Sequence, residues 1–370
     1  MRGTVSATLP EEAYGAALTR IGGIGPRRLR ALLAEAPASR IWAELLAGRG
    51  EEDCRERAAG IDLPSFWEAH RANGIEVRLL GRPGYPQVLA EDPEAPAVLF
   101  AVGDLGLLDR FPRVAVVGTR SATRYGLGVA AQIGADLAAA GVSVVSGLAP
   151  GIDGAVHEGA VAGWTAAGLG GGPPVGVVAG GLDGPRPRQQ ARLWERVAEA
   201  GVVISEAPAG APALPWRFPQ RNRIVAALAE VVVVVESHPQ GGSLHTVQAA
   251  IRRGVTVGAV PGSVRSPASA GTNDLLADGC FVVRDAADVL VAIGLARAGE
   301  IPVRRRRERL PAPRADGPAA MVLDSVDWEP SSLEQLLSRS GLPIEVVSAA
   351  LEQLRGDGLV HGEGGWWERA

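Results

Sequence analysis

At 370 residues the chain is long enough for two or three folded units, and an apolar share of 46% against 21% charged is that of an ordinary globular protein, not a disordered one. Two isolated cysteines, Cys54 and Cys280, supply neither a disulfide framework nor a zinc ribbon. The formal charge of −4 argues against retention on DNA by bulk positive charge, so the 37 basic residues, all arginine, must matter by position.

The longest branched apolar run, residues 231–235, falls far short of the ~18–20 residues of a membrane span. Acidic Glu11 and Glu12 stand where a signal peptide would be apolar, so the chain is expected to be cytoplasmic with no membrane span.

Residues 1–75 read as a domain of short helices, at 11–20, 26–36 and 41–46, broken by Gly and Pro. Between the first two lies Ile21-Gly22-Gly23-Ile24-Gly25-Pro26, followed by Arg27, Arg28 and Arg30. This is either an ordinary tight turn between helices or a helix-hairpin-helix that offers backbone N–H groups to a phosphate. Residues 76–111, rich in Pro and Gly, are expected to connect rather than to pack.

From residue 112 to 297, short Val/Ile runs alternate with Ala-rich helical segments, the pattern of βαβ units and a mostly parallel sheet. The predicted strands are 114–117, 142–145, 175–178, 202–204, 231–235, 256–260 and 281–283. Residues 298–318 form an Arg/Pro-rich linker carrying Arg304 to Arg307, a run that stays solvated or touches nucleic acid. In residues 319–370, Leu333, Leu336 and Leu337 share one helical face, and Val346, Val347, Ala350, Leu351 and Leu354 share another. Gly364-Gly365-Trp366-Trp367 then suggests a wing, so this unit reads as a winged helix. Its second helix carries Glu345 and Glu352 against a single Arg355, which favours a protein contact over DNA reading.

In an open parallel sheet, ligands bind beyond the carboxyl ends of the strands. Those ends carry Gly118-Thr119-Arg120, Ser146-Gly147, Gly180-Gly181-Leu182-Asp183, Ser205-Glu206, Phe218-Pro219-Gln220-Arg221-Asn222-Arg223, Gly242-Ser243-Leu244-His245-Thr246 and Pro261-Gly262-Ser263. Glycine lets backbone approach a ligand, helix starts present free N–H groups, and Arg120, Arg188, Arg221 and Arg223 add charge. Together they describe a phosphate cradle. No GxGxxG follows the first core strand, no lysine exists for a Walker A motif, and no GxSxG elbow is present. Asp153 and His157 lie four apart on a predicted helix, as a helix cap with a packing histidine or as a catalytic pair.

The motifs Gly84-Tyr85-Pro86, Asp92-Pro93, Leu99-Phe100, Val117-Gly118-Thr119-Arg120, Ser146-Gly147, Gly151-Ile152-Asp153 with His157, Gly181-Leu182-Asp183, Phe218 to Arg223, Gly242-Ser243-Leu244 with Thr246, and Val260-Pro261-Gly262-Ser263 resemble the DNA-processing protein A (DprA/Smf) family. The resemblance covers essentially the whole chain. It implies a helical N-terminal domain of sterile-alpha-motif or helix-hairpin-helix type, an extended Rossmann-like α/β core and a C-terminal winged helix. It further implies binding and protection of single-stranded DNA, loading of RecA during natural transformation, and a homodimer formed through the core. Two positions depart from the family pattern. Pro150 replaces the usual Arg before Gly-Ile-Asp, and Pro185-Arg186-Pro187-Arg188 lacks the usual aromatic while keeping a basic residue.

On this reading the core is a grip on single-stranded DNA with no cofactor, metal or catalytic residue. Arg120, Arg188, Arg221 and Arg223 neutralise phosphates, and Thr119 and Asn222 hydrogen-bond them or a base edge. Gly118, Gly147, Gly181 and Gly242 permit close approach, with Ser146, Ser243 and Thr246 alongside, and Phe218 is the one aromatic expected to stack a base. The alternative is a nucleoside monophosphate phosphoribohydrolase of the lysine-decarboxylase-like superfamily. That group has a Glu in a GGxGTxxE-like stretch where this chain has Gln248 and Ala249, leaving no carboxylate for general acid/base work.

Overall fold

The computed structural model describes residues 9–49, 52–109, 112–184, 188–294, 317–326 and 330–369. They belong to two compact units, 1–302 and 303–370. The first is organised by a nine-stranded sheet: β1 Glu76–Leu79, β2 Val98–Gly103, β3 Arg113–Val117, β4 Ser143–Ser146, β5 Val175–Val178, β6 Val202–Ser205, β7 Val231–Val234, β8 Thr256–Ala259 and β9 Phe281–Val282. Their order in space is β1-β2-β6-β5-β4-β3-β7-β8-β9. Strands β3 to β9 pair in parallel, with Val114 to Val117 opposite Val231 to Val234. Val114, Val144, Val175, Val202 and Val233 are all fully buried. Helices cover both faces of such a sheet, which is why its strands read as unbroken valine runs rather than alternating ones.

Helices Arg124–Ala139 and Ile152–Ala167 pack tightly on one face. A Cβ at Gly159 or Gly163 would run into the carbonyl of Ala131 or Ala135, so glycine at this spacing sets how near the two backbones come.

Two expectations need correction. Residues 76–111 do pack as regular structure: β1 and β2 form an antiparallel pair, and β2 lies antiparallel to β6. Val98, Leu99, Phe100 and Ala101 are buried, and the surrounding Gly and Pro mark the turns that admit this strand. The first 75 residues also contain helices Glu52–Ala59 and Leu63–Ala72 beyond the three expected. They share a core with the sheet, where Ile21, Trp42 and Leu63 join Val77, Leu79 and Phe100. Buried His70 ties the two parts together: its Nδ1 donates to the Phe66 carbonyl at 2.9 Å, while Nε2 accepts the N–H of Ala209 at 3.1 Å. Burial lowers its pKa, consistent with the neutral tautomer these bonds require.

In the second unit, helices Pro318–Ser325, Leu333–Ser340 and Ile344–Gly356 enclose Val322, Leu336, Val347, Leu351 and Leu354. A small sheet completes a winged helix, with β10 Ser331–Ser332, β11 Val360–Glu363 and β12 Trp366–Arg369 in the order β10-β12-β11. Ser332 and Gln335 form a capping box at one helix start, and Gly341 ends that helix in the left-handed conformation. The arginine run 304–307 lies outside the described residues. Among those residues, no helix is long and apolar enough to cross a membrane.

The loop before β2 is pinned by a buried ion pair. Arg253 Nε and Nη2 donate to Asp92 at 2.6 and 3.0 Å, and Nη2 also reaches Glu94 at 2.8 Å. Burial raises the pKa of Asp92, but the hydrogen bonds from Arg253 and the backbone of Glu94 outweigh it and hold the carboxyl below its ordinary value. Asp92→Ala leaves Arg253 buried without its main partner and is expected to cost about 3 kcal/mol in urea unfolding. Because the folded pKa is depressed, this stabilisation is present above the unfolded value and is lost as pH falls through the lower folded one. A variant as stable as wild type at pH 7 would contradict the assignment.

Candidate functional site

The strand order reverses between β3 and β7, and a doubly wound sheet normally takes its ligand in that crevice. Here the protein fills it. Glu236, just after β7, accepts hydrogen bonds from the N–H and Oγ1 of Thr123, at 2.9 and 2.6 Å, at the start of helix Arg124–Ala139. Its own carbonyl accepts the N–H of Thr119 at 2.8 Å. A carboxylate already occupies the helix start where a phosphate would gain most.

The open cavity lies beside this crevice, over the ends of β4 and β5, with a volume of about 400 Å³. Its wall contains Arg120, residues 147–150, residues 178–181, Trp194, Phe218 and Arg221. Exposed Arg120 lays its guanidinium over the Phe218 ring, 4.5 Å from the centroid, so two separately predicted residues form one platform. Leu148 is the only non-glycine residue with positive φ among those described, at 53°, and its side chain is buried. Strain of this kind persists only where the surroundings enforce it.

Arg221 is anchored at the same turn. Its Nη1 donates to the carbonyl of Gly147 at 2.8 Å and to that of Val177, while Nε donates to Asn222 Oδ1 at 3.1 Å. A Cβ on Gly147 would overlap both Arg221 and Asp153, so glycine there makes room for the two charged groups. Burial pushes the Asp153 carboxyl up and the Arg221 guanidinium down, and each group's charge counteracts the other's shift. His157 is buried with neither ring nitrogen hydrogen-bonded, so no hydrogen bond joins it to Asp153.

Several predicted contacts are internal rather than ligand-facing. Arg221 is buried and bonded to backbone. Arg223 holds Glu206 through two 2.6 Å bonds and the Glu94 carbonyl at 2.7 Å, leaving little of its guanidinium for phosphate. Ser146 is buried and donates to the Val116 carbonyl at 2.6 Å, Ser243 donates to Ser237 at 2.9 Å, and Thr246 is buried in its helix. Gly118 makes room for Ile152 and the Glu236 carbonyl, and Thr119 serves the turn by accepting from Ser121 N–H. Asn222 donates to the carbonyl of exposed Gly242 at 3.2 Å. Gly181 lines the cavity. The side chain of Arg188 and residues 185–187 lie outside the described part of the chain.

Trp194 is a further cavity residue that no sequence motif marks. It supplies an aromatic to the cavity from helix Ala191–Ala200, although the stretch after Gly-Leu-Asp has none. The alternation of that helix's apolar face was the available signal, with Leu193 and Val197 buried beside it.

Residues 76–294 match the family described as DNA recombination-mediator protein A, and residues 306–365 match the DprA winged helix domain. DNA processing protein DprA of Bacillus subtilis is 36% identical over 227 residues, which cover 61% of this chain and 74% of that protein. The crystal structure of DNA processing protein A from Streptococcus pneumoniae superposes with a TM-score of 0.62 at 30% identity, over 75% of this chain and 97% of that one. A Helicobacter pylori DNA processing protein A, described for its single-stranded DNA binding mode, shares the fold at 24% identity and a TM-score of 0.52, over 61% and 98% of the two chains.

The buried histidine gives the site a pH signature. Burial holds His157 at about 4 against an ordinary 6.5. Between those values the unfolded chain binds the extra proton, so stability is complete above about 6.5 and falls as pH drops, by up to roughly 1.4 kcal/mol per unit. Chemical denaturation of His157→Leu from pH 4 to 7 is expected to show a slope shallower by one proton. An unchanged slope would contradict the neutral buried state.

Proposed function

The chain belongs to the DNA recombination-mediator protein A family, and from that premise we propose that its core grips single-stranded DNA in the cavity over β4 and β5. The observation that carries the reading is the Arg120–Phe218 platform beside a glycine-walled cavity. An exposed guanidinium faces phosphate, and an aromatic face takes a base without regard to sequence. Arg188, read from the sequence as a phosphate contact, adds charge, and Gly147 and Gly181 in the cavity wall allow close approach. Affinity is then mainly electrostatic and sequence-indifferent.

The grip works without catalysis in this reading. The carboxylates around it are engaged internally: Glu206 with Arg223, Glu236 with Thr123, and Asp153 beside Arg221. Binding in the cytoplasm protects the strand, and a second contact delivers it to RecA during natural transformation. A homodimer through the core would place two grips on one strand and raise the effective concentration of each.

Arg120→Ala is expected to weaken binding to unrelated oligonucleotides alike and to reduce the salt slope by about 0.7, one phosphate contact on a single strand. Arg223→Ala is expected to lower stability instead, because it leaves Glu206 buried and unpaired. Fluorescence anisotropy across a salt series, with parallel melts, separates the two. Unchanged affinity and slope in Arg120→Ala would remove the site assignment. For the mediator role, the protein is expected to retain RecA in pull-down and to speed filament growth on strands coated with single-strand-binding protein. Failure of both would leave a DNA grip without that role.

A further inference from the structure

A second cavity, of about 360 Å³, lies between the glycine hairpin of the N-terminal helices and the sheet edge. It shares Val178, Ala179 and Arg221 with the first, so the two are neighbours separated by one buried guanidinium and the end of β5. Its volume is near the lower end of small-ligand pockets, roughly 300–1,000 Å³, enough for a base and its sugar. Ile24, Ala207 and Ile224 contribute apolar wall.

Three features in it lack a role. Trp216 is 53% exposed, and the Arg217 guanidinium lies 5.0 Å from its ring centroid. Arg217 Nε is buried with no hydrogen-bond partner, a donor left without an acceptor. Helix Pro26–Glu35 begins at Gly25 with no side-chain cap, and Gly25 and Pro26 border the cavity.

We propose that this second cavity receives a nucleobase of the bound strand, stacked on Trp216 beside the Arg217 guanidinium, with the adjoining phosphate at the uncapped hairpin helix. The inference rests on the single-strand reading above and extends the path from the core to the N-terminal helices. Charge sorts the two ends of the nucleotide. Glu206 forms part of the wall and would repel a phosphate inside, whereas a neutral base meets no such penalty. Arg20 and the uncapped start of helix Pro26–Glu35, both lining the cavity, favour the phosphate. The hairpin thus acquires a use as one lip of a nucleotide pocket.

The test uses the full chain and oligothymidylates carrying one 5-iododeoxyuridine at successive positions, irradiated and mapped by mass spectrometry. An adduct on Trp216 is expected from a nucleotide close along the strand to the one that labels Phe218. Arg217→Gln is expected to reduce the Trp216 adduct several-fold while the Phe218 adduct persists and the melting temperature holds. A Phe218 adduct with none on Trp216, or a Trp216 yield unaffected by Arg217→Gln, overturns the extension and leaves the core grip standing. Loss of both adducts together with undiminished binding by Arg120→Ala overturns the grip itself. Labelling of Trp216 by free 5-iododeoxyuridine monophosphate but by no oligonucleotide assigns the pocket to a free nucleotide and overturns the strand path.

Discussion

One buried guanidinium, that of Arg221, fixes the carboxyl edge of the sheet. By donating to the carbonyls of Gly147 and Val177 it ties the ends of β4 and β5 to helix Arg217–Leu228. The Gly147 carbonyl lies just past the end of β4, where its ladder partners run out, so the arginine replaces a hydrogen bond the sheet cannot supply there. The charge is tolerated because Asp153 faces the same glycine and because the hydrogen bonds are internal. With this edge held, residue 147 must be glycine, and the guanidinium lines two cavities.

The second constraint is the carboxylate of Glu236. It occupies the helix start at the strand-order reversal, where the same architecture elsewhere holds a dinucleotide phosphate. An internal anion there leaves no gain for an external one, and the surface suited to a ligand moves to β4 and β5. Two cavities lie side by side along that edge, sharing Val178, Ala179 and Arg221.

Much of the fold was legible because burial on both faces writes itself into consecutive valines. The runs beginning at Val114, Val175 and Val231 lie within a residue or two of their strands, and the leucine spacing after Leu333 foretold the winged helix. The β1–β2 pair was hidden because its strands stand among turn residues, and the helix Glu52–Ala59 because its exposed face is crowded with charge. The site was only half legible. Glycines and arginines at strand ends mark the right edge of the sheet, but what each arginine holds depends on partners remote in sequence. Arg223 meets Glu206 and Glu94, Arg221 meets two carbonyls, and Arg120 alone of the three extends over an aromatic ring. Trp194 and Trp216 escaped notice because only packing decides that they face cavities.

The central claim is one of place: the strand lies over β4 and β5 and not in the crevice between β3 and β7. Hydrogen–deuterium exchange of the full chain, with and without a saturating oligothymidylate, tests it most directly. Residues 147–150, 178–184 and 211–218 are expected to gain protection on binding, while residues 236–246 exchange as in the free protein. Protection confined to residues 236–246, with no change over 147–150 and 178–184, would contradict the account.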